Sequence, residues 1–282
     1  MSRRREINKK LEALSDIAGI MSAMKGLALM EIRILMDFIV CQQRMVTSIE
    51  QTAAEFFATH AALVNSSTAE RMICIVIGSE QGFCGDFNET LLAEMKTISL
   101  QQTKPVCWLI VGRRLANRID EHDPTITLLP GAIVSDEIPN VLLQLTQQLN
   151  SLLAQEHIPS CGISVLYHCD TSNIIRSRHL LPLSNLPEPV KMKAYPAELN
   201  ILPEELLLSL TDHYLYAVLN EVLYSSLMAE NRQRQIHMDR ALQRLDEDKL
   251  RLKFAYNTQR QEDITEEIET ILLSSDMATT VK

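Results

Sequence analysis

Glycine and proline are scarce in this chain of 282 residues, which contains 8 glycines and 10 prolines. Average usage of the two together, roughly 12%, would give about 34. The first proline is Pro105, the last glycine is Gly162, and neither residue occurs after Pro203. Because these residues mark turns and helix ends, their absence from both ends predicts long helices there. It excludes an all-β sandwich or barrel, which needs a turn signal every 8–12 residues or so.

The chain also has no excess of basic charge, and its cysteines and histidines lack the spacing of metal ligands. The formal net charge is −9, so the chain lacks the overall basic character of a nucleic-acid-binding protein, and we expect no nucleic-acid partner. None of the six cysteines forms a CxxC pair, and the seven histidines show no HExxH spacing, so we expect neither a metal site nor disulfides. Buried free thiols in a reducing compartment are the prediction.

Long uninterrupted hydrophobic runs are missing as well. The apolar stretch 27–41 is broken by Glu31, Arg33 and Asp37, so it cannot cross a membrane. The basic start at 3–10 is not followed by the apolar core of a signal peptide. We therefore expect a cytoplasmic protein, or one that meets a membrane only through its partners.

Residues 3–60 carry a sustained heptad pattern. Apolar residues recur at alternating steps of four and three, and only Lys25 and Gln42 interrupt them; the positions are Ile7, Leu11, Leu14, Ala18, Met21, Lys25, Ala28, Ile32, Leu35, Ile39, Gln42, Val46, Ile49, Ala53 and Phe56. About seven such heptads are typical of a coiled coil rather than of an ordinary amphipathic helix. A polar residue at a seam position usually sets the pairing register, and it can instead face a third partner.

Residues 66–200 alternate between predicted strands and helices. The strands are predicted at 71–77, 105–111, 125–129, 163–169 and, as an edge strand, 173–181; the helices are predicted at 86–99, 113–121 and 135–157. This alternation predicts a small, mostly parallel, Rossmann-like α/β sheet. The five prolines of segment 182–203 predict an extended connector.

The second long helix is predicted from Pro203 to residue 275, because proline suits the first helical turn. Its first half, 206–228, is apolar almost all round and should be buried among several partners. Its charged second half carries apolar positions at Met238, Ala241, Leu245 and Leu252, then Ile264, Ile268 and Ile271. The stretch 203–282 holds 15 acidic and 9 basic residues, so it complements the basic start of the chain.

Together these patterns predict an α/β fold in which an antiparallel coiled coil of long N- and C-terminal helices flanks the small sheet domain. The predicted divisions are a coiled-coil helix at 1–65, an α/β domain with the proline-rich connector at 66–202, and a second coiled-coil helix at 203–282.

The loop Gly78–Gly85 follows a predicted strand and precedes a predicted helix, where a phosphate-binding loop would lie. It lacks the Lys-Ser/Thr pair of a P-loop and the GxGxxG spacing. A tight strand-to-helix turn is therefore the preferred interpretation, with nucleotide binding as the alternative. The sequence predicts no catalytic residues and no cofactor.

Three segments resemble the γ subunit of F-type ATP synthases. Arg4–Ile7 with Ile20–Ala28 resembles the family's "I-T-K-A-M-K-M-V-A", and Gly78–Asn88 resembles "S-D-K/R-G-L-C-G-x-x-N". Glu230, Arg234, Met238 and Ala241 match "E-x-x-A-R-x-x-A-M-x-x-A", and Tyr256–Glu267 matches "Y-N-K-A-R-Q-A-x-I-T-x-E". The segments occur in the family's order and at its separations, so the resemblance covers essentially the whole chain. Departures such as Met21, Ser22 and Gly26 indicate a divergent bacterial branch, with an alternative F-type ATPase as one interpretation.

The resemblance implies a non-catalytic rotor subunit of the central stalk of a bacterial F1Fo complex, coupling ion flow to ATP synthesis or hydrolysis. The implied partners are the α and β subunits of F1, the ε subunit and the c-ring, at the cytoplasmic face of the inner membrane. The residues implied to contact the α and β subunits are Met24, Lys25, Arg234, Arg260, Gln261, Thr265 and Glu267. A coiled-coil adaptor and a nucleotide-binding α/β enzyme are the alternatives.

Overall fold

A computed structural model describes residues 2–60, 71–102, 104–119, 125–156, 161–169, 174–183 and 199–279. The elements are α1 (Ser2–Thr59), β1 (Arg71–Ile77), α2 (Phe87–Gln101), β2 (Val106–Val111), α3 (Arg113–Ala116), β3 (Ile126–Leu129), α4 (Ile138–Glu156), β4 (Cys161–His168), β5 (Ile175–Leu181) and α5 (Pro203–Thr279). The chain divides into two compact units: unit 1 comprises 1–27 and 235–282, and unit 2 comprises 28–234.

Both long terminal helices are confirmed. Helix α1 is continuous through Gly19 and Gly26, and α5 begins at Pro203, the predicted first residue. Every seam position predicted in α1 is at least half-buried, whereas most residues between those positions are exposed. The heptad pattern therefore identified the packed face of this helix correctly.

The predicted mostly parallel sheet is also confirmed. Its five strands lie in the order β3-β2-β1-β4-β5; the first four are parallel, and β5 is an antiparallel edge strand. Side chains alternate across β1, because Ile73, Ile75 and Ile77 pack on one face while Cys74 and Val76 pack on the other. The sheet is thus covered on both faces, as expected for parallel strands.

Unit 2 has three layers. One face of the sheet packs against α4 and against the unit-2 parts of α1 and α5, through buried residues such as Leu35, Leu145 and Val218. The opposite face packs against α2 and α3, through residues such as Phe87 and Leu115. Residues 222–231 of α5 are buried on all sides, so the prediction of a surrounded helix over 206–228 is confirmed for its last part. It is wrong for the earlier part, where Leu208 and Tyr216 are exposed.

Two helices of unit 2 differ from their predicted bounds. Helix α3 ends at Ala116, and α4 begins at Ile138 after a single 3₁₀ turn at Ser135–Glu137. Pro139 lies in the first turn of α4, where its missing N–H leaves no helical hydrogen bond unmade. The predicted end of this helix at residue 157 lies outside the described residues.

In unit 1, residues up to 27 of α1 pair with α5 from residue 235 onward. The packed face of α5 includes Met238, which is buried, and Ala241, Leu245 and Leu252, which are half-buried, as predicted. The predicted continuation through Ile264, Ile268 and Ile271 is wrong, since all three are exposed. Steps of seven from Leu245 and Leu252 lead instead to Gln259, and the half-buried positions at this end are Tyr256, Gln259 and Asp263.

The predicted division at 1–65, 66–202 and 203–282 stays a prediction. Its first boundary and most of the proline-rich connector lie outside the described residues. The two compact units assign part of each long helix to each unit.

Candidate functional site

Lys25 is a polar residue at a seam position of α1, and its ammonium group meets a carboxylate on the other helix of unit 1. Its Nζ forms an ion pair with Oδ1 of Asp239 in α5. Both side chains are about one-third exposed, and the neighbouring Met24 is half-buried. The polar interruption therefore aligns α1 with α5, which is the register-setting role expected of such a residue.

The far end of unit 1 holds a second polar contact between the helices. The guanidinium of Arg4 lies 3.9 Å from the carboxylate of Asp263 and 5.9 Å from the ring centroid of Tyr256. From Lys25 back to Arg4, the partner residue on α5 advances from Asp239 to Asp263, so the two helices are antiparallel. The predicted charge complementarity of the chain ends is realised in these pairs.

Four of the predicted contact residues lie on the exposed surface of α5 in unit 1. Arg260, Gln261, Thr265 and Glu267 are all exposed. The Thr265 hydroxyl donates a hydrogen bond to the Gln261 carbonyl at 2.9 Å, a bond within the helix that leaves the surface open. Large apolar side chains are exposed at the same end, among them Ile268 and Ile271.

The loop Gly78–Gly85 at the end of β1 is tightly shaped. Phe83 and Gly85 both have φ of 64°, in the left-handed region that strains a bulky residue such as Phe83. Gly78 packs so closely on Leu115 of α3 that an added Cβ would lie 2.4 Å from the Leu115 Cβ. The loop is thus a tight turn, as preferred from the sequence, and it leads directly into α2.

Two buried side chains of α5, Glu230 and Arg234, hold this loop. The Glu230 carboxylate accepts hydrogen bonds from the backbone N–H groups of Glu80 at 3.4 Å and Gln81 at 3.3 Å. Arg234 forms an ion pair with Glu230, and its Nε donates to the Gly82 carbonyl at 3.4 Å. Each charged side chain is 4% exposed. Two of the motifs that carry the resemblance therefore meet in space.

The loop is in turn bonded to the rest of unit 2. The Glu80 carboxylate accepts from the backbone N–H groups of Arg113 at 2.9 Å and Gly131 at 2.8 Å. The Asn88 side chain of α2 accepts from the Ser79 N–H at 3.0 Å and donates to the Ser79 hydroxyl at 2.8 Å. Through Glu80 and Asn88, the loop that Glu230 and Arg234 hold is therefore also bonded to α2, to the start of α3 and to the segment after β3.

The electrostatics of this site disfavour thiol or phosphate chemistry. Burial, and then the charge of Glu230, raise the pKa of Cys84 to about 12, so Cys84 is a protonated thiol at neutral pH. Burial also raises the pKa of Glu230, although Arg234 and the two loop N–H groups oppose the shift. The chain's own carboxylate occupies the N–H groups to which a phosphate would bind, which argues against the nucleotide-binding alternative.

Arg234 is the one predicted contact residue that the fold buries. Its Nη1 donates to Oδ1 of Asn231 at 2.7 Å, in addition to its bonds with Glu230 and Gly82. The geometry gives Arg234 a role within unit 2. Its contact with a partner subunit stays a prediction from the resemblance.

A second polar cluster in unit 2 was not predicted. Arg178 of β5 donates to Glu50 of α1 at 2.5 Å and to Glu221 of α5 at 3.0 Å. The two acceptors are 128 and 43 residues away in the sequence, so no local pattern could reveal the cluster. Arg178 links the sheet to both long helices.

The described ranges contain no group of three or more His, Cys, Asp and Glu side chains placed to hold a metal ion. Within the same ranges, no helix is long and apolar enough to span a membrane.

Comparisons with known proteins agree with this arrangement. A family model described as ATP synthase matches residues 3–275. The ATP synthase gamma chain of Methylacidiphilum infernorum is 25% identical over 295 residues, covering 95% of this chain and 96% of its own length. The gamma chain of Flavobacterium johnsoniae is 22% identical over 280 residues, with the same coverage of 95% and 96%.

Solved structures share the fold. The rotor of the Euglena gracilis mitochondrial ATP synthase aligns with a TM-score of 0.61 at 15% identity, over 93% of this chain and 99% of that one. A chain of the OSCP/F1/c-ring assembly of the same enzyme aligns with a TM-score of 0.67 at 16% identity, over 100% and 96%. With the family model matching nearly the whole sequence, the chain belongs to the ATP synthase gamma-chain family.

Proposed function

We propose that this chain is the central-stalk rotor subunit of a bacterial F1Fo ATP synthase. The observation that carries the proposal is the family match over residues 3–275, which includes both long helices and the sheet between them. The chain has no catalytic role of its own in this proposal. It couples ion flow across the membrane to ATP synthesis or hydrolysis in the F1 hexamer of α and β subunits.

An antiparallel helix pair suits a rotating shaft for two physical reasons. Two packed helices resist bending and twisting better than a single chain segment, because each would have to slide against the other's side chains. The pair is also asymmetric around its axis, so it touches three chemically identical β subunits differently. Differential contact is the only way in which a rotor can favour open or closed states of its partners.

The proposed contact residues for the α and β subunits lie in unit 1, apart from the buried Arg234 of unit 2. Met24 and Lys25 form one group, in which Lys25 pairs with Asp239, and Arg260, Gln261, Thr265 and Glu267 lie farther along α5. The distance along the helix from Asp239 to Arg260 is roughly 30 Å at 1.5 Å per residue. The proposal therefore has two contact zones on one shaft. Exposed charged and apolar side chains at the second zone support it, since exposed apolar patches mark binding surfaces.

The remaining proposed partners are the ε subunit and the c-ring, and the proposed location is the cytoplasmic face of the inner membrane. The chain is a peripheral component there and meets the membrane through its partners. The support is family membership, together with the similarity to a chain of the Euglena assembly, which contains F1 and a c-ring.

The first test is isolation of the chain from its own cells through an affinity tag. We expect the α and β subunits of F1 to co-purify with it, together with ATPase activity. Recovery without these subunits, in cells that contain them, would favour a coiled-coil adaptor instead. Calorimetric titration of the isolated chain with ATP should give no binding heat, and saturable binding would favour the nucleotide-binding enzyme.

The second test addresses the contact residues. Arg260→Ala and Glu267→Ala should lower ATP-driven ion pumping in a reconstituted complex, while the helix content of the isolated chain stays unchanged. Arg251→Ala and Glu247→Ala are matched controls, because these residues are exposed on α5 of unit 1 outside the matched motif. Pumping equal to the controls in both test variants would refute the assignment.

A further inference from the structure

We propose that Glu230 and Arg234 are positioning residues that form a joint, through which twisting load passes between α5 and the sheet of unit 2. This inference rests on the proposed rotor function, because only a rotating chain carries such a load. Neither residue is catalytic, and neither needs to touch a partner subunit.

A rotor needs directional contacts between its shaft helix and its sheet. Apolar packing is non-directional, so it opposes rotation of a helix about its own axis less sharply than oriented polar contacts do. Hydrogen bonds weaken steeply as their angles change, so they resist this rotation. The buried part of α5 is mostly apolar, and the polar contacts it makes with the α/β layer are therefore the stiff ones.

Glu230 and Arg234 form hydrogen bonds with three consecutive residues of the loop. Glu230 receives the N–H groups of Glu80 and Gln81, while Arg234 donates to the carbonyl of Gly82. Because the two side chains are four residues apart, they project from the same face of α5 and act together. Their burial excludes the water that would otherwise replace these bonds during movement.

The gripped loop is firmly attached to the sheet. It leaves β1 directly, and Glu80 bonds to the backbone at Arg113 and Gly131, which follow β2 and β3. A rotation of α5 about its axis therefore acts, through the loop, on the ends of three neighbouring parallel strands, β1, β2 and β3. Two further polar links join α5 to the sheet. Ser226 donates a single buried hydrogen bond to the Ile77 carbonyl at 3.4 Å, and Arg178 links α5 to β5, although its side chain is 24% exposed and water competes for its bonds.

The attraction between the two charges does not by itself explain a buried ion pair here. Replacing such a pair by apolar residues of similar volume is often neutral or stabilising, because desolvation offsets the attraction between the charges. Apolar residues at these positions would fill the space equally well, yet they could not hold the loop's N–H and carbonyl groups. The directional bonds are what the charged pair adds.

The test uses the double variant Glu230→Leu with Arg234→Met, which removes both charges without leaving one unpaired. The single variant Glu230→Gln keeps an acceptor oxygen for the loop N–H groups but leaves the Arg234 charge without its carboxylate, so its urea unfolding is measured beside its coupling. Arg118→Ala is the matched control, because it removes an ion pair with Glu89 in the same unit that does not involve α5. Inverted membrane vesicles containing the complete complex are assayed for ATP hydrolysis and for the membrane potential it generates, which reports either coupling ion.

We expect the double variant to fold and to hydrolyse ATP, and to unfold at a somewhat lower urea concentration than the wild type, because the N–H groups of Glu80 and Gln81 and the Gly82 carbonyl lose their partners. Its membrane potential per ATP hydrolysed should fall by roughly half or more, since the bonds of Glu230 and Arg234 to the loop are lost and only those of Ser226 and Arg178 still join α5 to the sheet. Glu230→Gln should give a smaller fall, and Arg118→Ala none. A stable double variant with wild-type coupling would overturn the proposal, as would a double variant that fails to fold, because the pair would then serve stability alone.

Failure of the joint is distinguishable from failure of the rotor function. If the wild-type chain does not assemble with the α and β subunits, the proposed function fails and the joint with it. If the wild-type complex couples normally and the double variant couples equally well, only the joint is refuted.

Discussion

Units 1 and 2 contain parts of the same two helices but differ in what surrounds them. The α1 seam is only half-buried from Ile7 to Lys25 in unit 1, whereas Leu35 of unit 2 has no exposed surface. On α5, residues 222–231 are buried on all sides, but Met238 is the one fully buried residue among those described from 235 onward. The heptad pattern of α1 is the same in both units.

The difference shows that burial along α1 is set by the number of layers around it rather than by its heptad pattern. Two helices alone cover one stripe of each other and leave the remaining faces in water. In unit 2 the sheet and α4 cover further faces of both helices. Unit 1 therefore has little packing stability of its own and a large surface available to partners, which is what a shaft inside a ring of subunits requires.

The largest expected difference between the units comes from truncating the same heptad position in each. Leu35→Ala should lower the free energy of unfolding by about 2–5 kcal/mol, because it opens a cavity in a closed core. Leu14→Ala, three heptads earlier and half-buried, should cost about 1 kcal/mol. Urea unfolding followed by circular dichroism measures both. Equal costs would show that the two units are packed alike.

Removing an ion pair should likewise cost more stability in unit 2 than in unit 1. Arg178→Ala leaves Glu50 and Glu221 without their guanidinium partner in unit 2, and we expect a loss of about 2–3 kcal/mol. Lys25→Ala removes a more exposed pair in unit 1 and should cost about 0–1 kcal/mol. Chemical denaturation of each variant beside the wild type gives the comparison. A larger loss for Lys25→Ala would mean that register in unit 1, rather than packing in unit 2, limits stability.

Replacing a glycine by alanine should change the free energy of unfolding in opposite directions in the two units. Gly78→Ala places a methyl group against Leu115 and should destabilise unit 2 by about 1–3 kcal/mol. Gly26→Ala meets open space in a helix and should stabilise unit 1 by about 0.5–1 kcal/mol. Thermal unfolding midpoints should therefore move in opposite directions. Destabilisation by Gly26→Ala would indicate that α1 bends at this residue.

Features with a local repeat were predictable. The seam from Ile7 to Phe56 and the strand pattern of β1 and β2 repeat over short distances, so the sequence displays them directly. The C-terminal seam was mistaken beyond Leu252 because its continuation is polar: Gln259 and Asp263 hold seam positions, while the more hydrophobic Ile264 lies one residue off the stripe. Hydrophobicity without strict spacing was a poor guide there.

The sequence indicated the helical pair of the proposed joint but not the loop residues that the pair binds. Glu230 and Arg234 show the spacing of a helical ion pair, and the resemblance drew attention to both, but their loop partners lie about 150 residues away. Arg178 carried no sequence signal, since a charged residue on an edge strand usually faces water. Pairings over such separations depend on how the whole chain folds.

By itself the sequence determined the long terminal helices, the packed face of α1, the mostly parallel sheet and the family, because each follows from short-range periodicity or from motifs in a fixed order. Only the tertiary structure decided where each helix is half-buried or enclosed, that Glu230 occupies the loop's N–H groups, and that Arg178 ties the sheet to both long helices. Local patterns fix which face of an element is apolar. Which neighbours cover that face, and which distant polar groups complete their hydrogen bonds, is fixed only when the layers pack together.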